Sequence, residues 1–172
     1  MSKYVNLLKQ ADIFYKLTPS QVEMIAGICE ERVYSPGELV FPEGASSDEL
    51  YVILEGEVEI LINPGLVSVY DETKPALKTI STLRRGESFG EVALVDQGLR
   101  SASVRVGSSN ARLALIPREK LIQLCESYPQ LGYRLMRNLA SDLAFKIRTL
   151  GLHMREEILY GTGEKQARKF LD

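Results

Sequence analysis

The apolar positions of this chain repeat on a helical period at both ends and on a strand period between them. Tyr4, Val5, Leu7, Leu8, Ile13 and Phe14 form a short helical segment, interrupted near Ala11-Asp12, that lays apolar residues on a body formed later. Thr18-Pro19-Ser20-Gln21 has the chemistry of a helix start. Thr18 caps, Pro19 suits the first helical position and Gln21 completes a capping box, which predicts a helix through Val22, Ile25, Ala26 and Cys29. Residues 32–40 then alternate around a Ser35-Pro36-Gly37-Glu38 turn. A second turn cluster, Phe41-Pro42-Glu43-Gly44 with Ser46-Ser47-Asp48, precedes Leu50-Tyr51-Val52-Ile53-Leu54, then Glu55-Gly56, then Val58-Glu59-Ile60-Leu61-Ile62. Short strands and turns at this spacing predict an all-β barrel or roll.

The polar, turn-rich stretch 63–75, around a short Leu66-Val67-Ser68-Val69-Tyr70 run, reads as an elaborated hairpin, and residues 76–83 return as a strand. Arg112-Leu113-Ala114-Leu115-Ile116 is a last strand, stopped by Pro117. The helical period resumes with Leu121, Ile122, Leu124 and Cys125. From Pro129 it becomes a stripe of Leu131, Leu135, Leu139, Leu143, Ile147, Leu150, Met154 and Ile158 on one long helix. At about 1.5 Å per residue that helix spans roughly 45 Å, more than a roll of this size covers, so part of its apolar face needs another partner. The economical partner is a second copy of the chain. Tyr160-Gly161-Thr162-Gly163-Glu164-Lys165 lacks the spacing of a phosphate loop and reads as a turn and short helix start.

Composition narrows the class. With 172 residues, of which 45% are hydrophobic, the chain supports one globular domain with a helical extension. A net charge of −2 argues against a surface that coats nucleic acid. Cys29 and Cys125 lie far apart among apolar residues and read as free, buried thiols in a reducing compartment. No charged-then-apolar leader and no long apolar run occurs, so a cytoplasmic protein that neither enters nor crosses a membrane is expected.

Candidate chemistry concentrates in residues 84–106. Phe89-Gly90 ends an extended segment, and Glu91-Val92-Ala93-Leu94 is long enough for one helical turn, whose first N–H groups have no partner inside the helix and attract an anion. Gly90 permits a ligand to approach the backbone closely. After an Asp96-Gln97-Gly98 turn, Arg100 opens an alternating run, Ala102 and Val104 on one face and Ser101 and Ser103 on the other, which reads as a strand. A guanidinium beside free helix-start amides suits a phosphate, and a carboxylate at the same turn suits a ribose hydroxyl. Phosphate and ribose together point to a nucleotide.

Phe89-Gly90-Glu91, Ala93-Leu94 and Arg100-Ser101-Ala102 resemble, in order and spacing, the phosphate-binding cassette of cyclic-nucleotide-binding domains, the family of catabolite activators, protein kinase A regulatory subunits and cyclic-nucleotide-gated channels. Gly37-Glu38, Gly44, Tyr51, Ile53 and Gly56 match the same family. The resemblance implies a mainly β fold, an eight-stranded, jelly-roll-like double-stranded β-helix (β-roll) with N-terminal helices and a long C-terminal helix. It implies two parts: residues 1–128 as the binding roll, and residues 129–172 as a lid and dimerisation helix with a short tail. It also implies a cyclic-nucleotide ligand, cAMP favoured over cGMP, with no catalysis, metal or other cofactor. Arg100 is expected to pair with the cyclic phosphate, Gly90 and the amides of Glu91, Val92 and Ala93 to cradle it, Glu91 to hold the ribose hydroxyl, and Ser101 to add a phosphate contact, with Phe89 and Ala102 completing the set. In the catabolite activators the dimer helix offers hydroxyl side chains to the base, and the corresponding register here holds Lys146 and Ile147. Phe145, Lys146 and Arg148 are the base-side candidates.

The remaining motifs carry less. Glu43, Asp48, Glu49, Glu55, Glu57 and Glu59 read as a solvated sheet face rather than a metal site, since no His or Cys is interleaved. His153, the one histidine, reads as a helix-surface residue. Residues 161–172 are too short for two helices and a turn, so DNA recognition is not expected of this chain alone. The expected partners are a cyclic mononucleotide, a second copy and an unidentified protein that receives the signal. The competing readings are a fragment of a catabolite-activator-type regulator and an interaction module that has lost nucleotide binding.

Overall fold

The computed structural model describes residues 5–63 and 77–168, with side chains described as far as Glu156 and at Leu159. Its strands are β1 (Glu30–Tyr34), β2 (Leu39–Phe41), β3 (Leu50–Glu55), β4 (Glu57–Ile62), β5 (Lys78–Arg84), β6 (Ser88–Phe89), β7 (Ser103–Val106) and β8 (Ala111–Ile116). Its helices are α1 (Val5–Leu8), a 3-10 turn at Asp12–Phe14, α2 (Pro19–Ile28), α3 (Glu91–Asp96), α4 (Arg118–Ser127) and α5 (Pro129–Arg168). The expected mainly β fold with flanking helices is what forms. The Leu66–Tyr70 run of the expected hairpin lies outside the described residues.

Two four-stranded antiparallel sheets run β1-β8-β3-β6 and β2-β7-β4-β5. Sequence neighbours other than β4 and β5 fall in opposite sheets, so most turns carry the chain across the sandwich instead of closing a hairpin. The β3–β4 crossing depends on Gly56. Its φ is +81°, and a Cβ there would sit 2.9 Å from Ala111 Cα. Tyr34, Ile53, Val58, Leu83, Val104 and Leu113 fill the space between the sheets. Leu50 to Leu54 are all buried, which explains a continuous apolar run where a half-exposed strand alternates.

Helix α2 starts as predicted. Gln21 N–H donates to Thr18 Oγ1 at 3.3 Å, and Thr18 N–H donates to Gln21 Oε1 at 2.9 Å. Glu55, Glu57 and Glu59 lie on the solvated sheet surface, where arginines on neighbouring strands pair with them. Arg105 Nη2 lies 2.7 Å from Glu59 Oε2, Arg112 bridges Glu31 and Glu55, and Arg84 faces Glu57. Each such surface pair contributes about 1 kcal/mol or less. Both cysteines are free but half-buried rather than buried. Cys29 donates to Ile25 O at 3.1 Å, and burial pushes its thiol up to about 12.

By internal contacts the chain divides into two compact units, Met1–Asn138 and Leu139–Asp172. In the first, the start of α5 buries Leu131 and Leu135, and Asn138 donates to the carbonyls of Ile13 and Tyr15 at 2.9 and 2.8 Å. In the second, α5 continues to Arg168. The expected turn at 160–165 is therefore helix. Gly161 and Gly163 cost about 1 kcal/mol each against alanine, and no proline stands there to end the ladder. No helix among the described residues is long and apolar enough to cross a membrane.

Candidate functional site

The site is built where β6 turns into α3. Gly90 caps α3 with φ 85° and ψ 6°, a left-handed conformation open to glycine at little cost. A Cβ on Gly90 would lie 2.6 Å from Arg100 Nη1 and 2.8 Å from the Glu49 carbonyl oxygen, so the guanidinium occupies the space that a side chain would take. Glu91 stands in the first turn of α3, where the helix dipole favours a carboxylate, and its side chain is buried. Ala93 is buried and Val92 is exposed. At the other end of α3, Gln97 takes a left-handed conformation and its N–H closes on Ala93 O at 3.1 Å. Arg118 Nε donates to Leu94 O at 3.0 Å, which ties the start of α4 to the cassette helix.

Arg100 is the organising residue. Its side chain is only 2% exposed. A charge so buried is tolerated only when it is paired and hydrogen-bonded. Nε donates to Ser47 Oγ at 2.9 Å, Nη1 to Gly90 O at 3.1 Å, and Nη2 to Glu49 O at 2.9 Å and Glu49 Oε2 at 3.2 Å. Below it lies an aromatic cluster. The guanidinium carbon sits 4.2 Å from the Phe41 ring centroid and 5.6 Å from that of Tyr51, while Tyr51 and Phe89 stack at 4.9 Å. Such cation–π contacts contribute roughly 0.5–2 kcal/mol. Burial pushes the Tyr51 phenol up to about 12, with the Glu49 carboxylate adding to the shift, so it stays protonated near neutral pH.

The loop 42–49 wraps the arginine. Gly44 N–H donates to Arg100 O at 2.8 Å and Arg100 N–H to Ala45 O at 2.9 Å. An open cleft of about 550 Å³ lies alongside, with Pro42, Glu43, Asn63, Leu99 and Arg100 in its wall. That volume falls in the range of small-molecule sites.

Of the expected residues, the structure brings Phe89, Gly90, Glu91, Val92, Ala93 and Arg100 together around one turn. Ser101 and Ala102 follow in a bend, Ser101 exposed and Ala102 half-buried. The strand begins only at Ser103, so the run from Arg100 is not an extended strand as the alternation implied. Ser103 is buried, and its hydroxyl accepts the Glu43 N–H at 2.9 Å. On α5, Phe145, Ile147, Arg148 and His153 are exposed, and Lys146 pairs with Asp142 at 2.7 Å. Sequence reasoning missed Ser47, Glu49 and the aromatic floor. The one available signal was that an acceptor-rich loop stands before an apolar strand in a fold that buries an arginine. Among the described residues no group of His, Cys, Asp and Glu is arranged to hold a metal.

Comparison with known proteins bears on this geometry. A family model described as the cyclic nucleotide-binding domain matches residues 31–128, and that span takes in the sheets, the cassette and α4. The cyclic AMP receptor protein of Thermus thermophilus is 29% identical over 147 residues, 86% of this chain and 62% of its own length. A cGMP-dependent protein kinase of Drosophila melanogaster, isozyme 2 forms cD5/T2, is 28% identical over 134 residues, 77% of this chain and 14% of its own length. The chain thus spans less than two thirds of these curated relatives. A solved cyclic nucleotide-binding domain from Methylobacillus flagellatus superposes with a TM-score of 0.74 at 24% identity, over 86% of this chain and 80% of that one, and shares the fold.

Proposed function

The chain belongs to the cyclic nucleotide-binding domain family, and from that premise we propose that it is a cytoplasmic, non-catalytic regulatory module that binds cAMP in preference to cGMP. The observation that carries the reading is the buried Arg100 guanidinium held at the carbonyl of Gly90, beside the N-terminal end of α3. In this reading Arg100 pairs with the cyclic phosphate. Gly90 and the amides of Glu91, Val92 and Ala93 surround its oxygens, Glu91 accepts from the ribose 2′-hydroxyl, and Ser101 adds a contact at the phosphate. Phe89, through its stack on Tyr51, and Ala102 hold the two ends of the cassette. The preference for cAMP is supported by the Thermus relative, whose alignment covers more of this chain than that of the cGMP-dependent kinase.

The cassette also supplies a route for the signal. Arg118 joins α3 to α4, so a shift of α3 on binding reaches the helices that follow in sequence. We assign residues 1–128 to binding and residues 129–172 to readout, with the apolar face of α5 as the surface that re-packs or meets a second copy.

Titration calorimetry with cAMP and cGMP tests the binding role. Wild type is expected to bind at micromolar ligand. Arg100→Ala is expected to lose at least about a hundredfold in affinity, because it removes a charged donor set that makes several hydrogen bonds. Absence of heat from both proteins at millimolar ligand, or equal affinity in both, contradicts the reading.

A further inference from the structure

The feature that the binding reading does not use is the side chain of Glu49. Its carbonyl and its carboxylate both accept from Nη2 of Arg100, at 2.9 and 3.2 Å, and together with Ser47 on Nε and Gly90 on Nη1 they direct the donors of the guanidinium to protein acceptors. The two Glu49 contacts differ in kind. The carbonyl belongs to the residue that leads into β3, next to the paired Leu50, whereas the side chain is 35% exposed. The carboxylate can therefore rotate into solvent while the backbone contact keeps Nη2 in place.

We infer that the Glu49 carboxylate is a resident counter-ion with which a nucleotide phosphate must share or exchange Arg100, and that it makes the site select a singly charged cyclic phosphodiester over the more highly charged phosphomonoester of a linear nucleotide. The inference rests on the proposed cyclic-nucleotide role of the cassette. A cyclic diester carries one negative charge, and a terminal monoester carries about 1.5 to 2 at pH 7. Each ligand charge placed on the guanidinium is repelled by Glu49 across a few ångströms. For a partly solvated carboxylate that repulsion amounts to about three- to tenfold in Kd per unit charge. The monoester bears the larger penalty, so discrimination arises from a repulsive element placed against the wrong ligand. Glu49 also balances the buried Arg100 charge when no phosphate does, so removing its charge weakens the free state relative to the bound one.

The experiment compares wild type, Glu49→Gln and the charge-retaining Glu49→Asp by calorimetry with cAMP, cGMP, 5′-AMP and 5′-GMP. Thermal melts with and without saturating cyclic nucleotide accompany it. Glu49→Gln is expected to bind the preferred cyclic nucleotide about three- to tenfold tighter, and the ratio of linear to cyclic Kd is expected to fall at least about threefold. The ligand-induced rise in Tm is expected to exceed that of wild type, and Glu49→Asp is expected to keep the wild-type ratio. If wild type binds cyclic nucleotide and Glu49→Gln binds it equally or more weakly, or keeps the ratio, the counter-ion role is overturned while the binding reading stands. If none of the three proteins binds any of the four nucleotides at millimolar concentration, the binding reading fails and this role fails with it.

Discussion

Gly90 and Arg100 define each other. The left-handed turn at Gly90 opens the space that Arg100 fills, and Arg100 donates back to the Gly90 carbonyl at 3.1 Å. Gly90→Ala therefore forces two changes at once, a strained φ of +85° for a residue with a Cβ and a collision with Nη1. The expected loss of stability is about 1–3 kcal/mol from backbone strain alone, read by urea denaturation. Nucleotide affinity is expected to fall more than tenfold, since the guanidinium must move. A fully stable alanine variant with wild-type affinity removes the mutual dependence. At this scale the cassette was legible, because glycine, acid and arginine each have a chemistry and stand in a fixed order. The hydrogen bonds of Arg100 to Ser47 and Glu49 were not, since they join residues 53 and 51 positions apart, and no local pattern reports such a pairing.

Among the elements, α5 separates what periodicity tells from what it leaves open. The stripe from Leu131 to Met154 was readable at 3.6-residue spacing, yet its members meet different fates. Leu131 and Leu135 are buried in the first unit, whereas Ile147, Leu150 and Met154 of the second unit are each more than half exposed. Phe145, Leu152 and Leu159 are exposed as well, so the apolar surface of the second unit is broader than the stripe. An exposed apolar surface of this kind on a helix favours a partner helix, which supports the proposed homodimer. Sedimentation equilibrium at micromolar protein is expected to give a dimer for wild type. A Leu150→Glu, Met154→Glu double variant is expected to shift the population to monomer with the roll still folded. A monomeric wild type across that range contradicts the proposed dimer. The strand assignment from Arg100 onward failed for a related reason. Alternation of Ser101, Ala102, Ser103 and Val104 implied one extended run, but the hydrogen bonds of the Arg100 backbone to Gly44 and Ala45 tie it to a loop, and pairing with β4 starts only at Ser103.

For the whole molecule, a sandwich of two sheets follows from short strands bounded by turns, and that much was open to reading. Which strands pair was not, because the turns at Ser35-Pro36-Gly37-Glu38 and Glu55-Gly56 look like hairpins and instead pass the chain from one sheet to the other. That crossing is what assembles the site. β3 and β6 lie side by side in one sheet and bring Glu49, Tyr51 and Gly90 together, while the loop after β2 closes over Arg100 from the other. The central claim is that a cyclic nucleotide binds at this junction. A nitrogen–proton NMR titration of the isotope-labelled protein with cAMP and cGMP tests it most directly. The account predicts that the amides of Gly90, Glu91, Val92 and Ala93 and the Nε–H of Arg100 move most and saturate together. Saturating nucleotide that leaves those resonances in place, whether or not others shift, contradicts it.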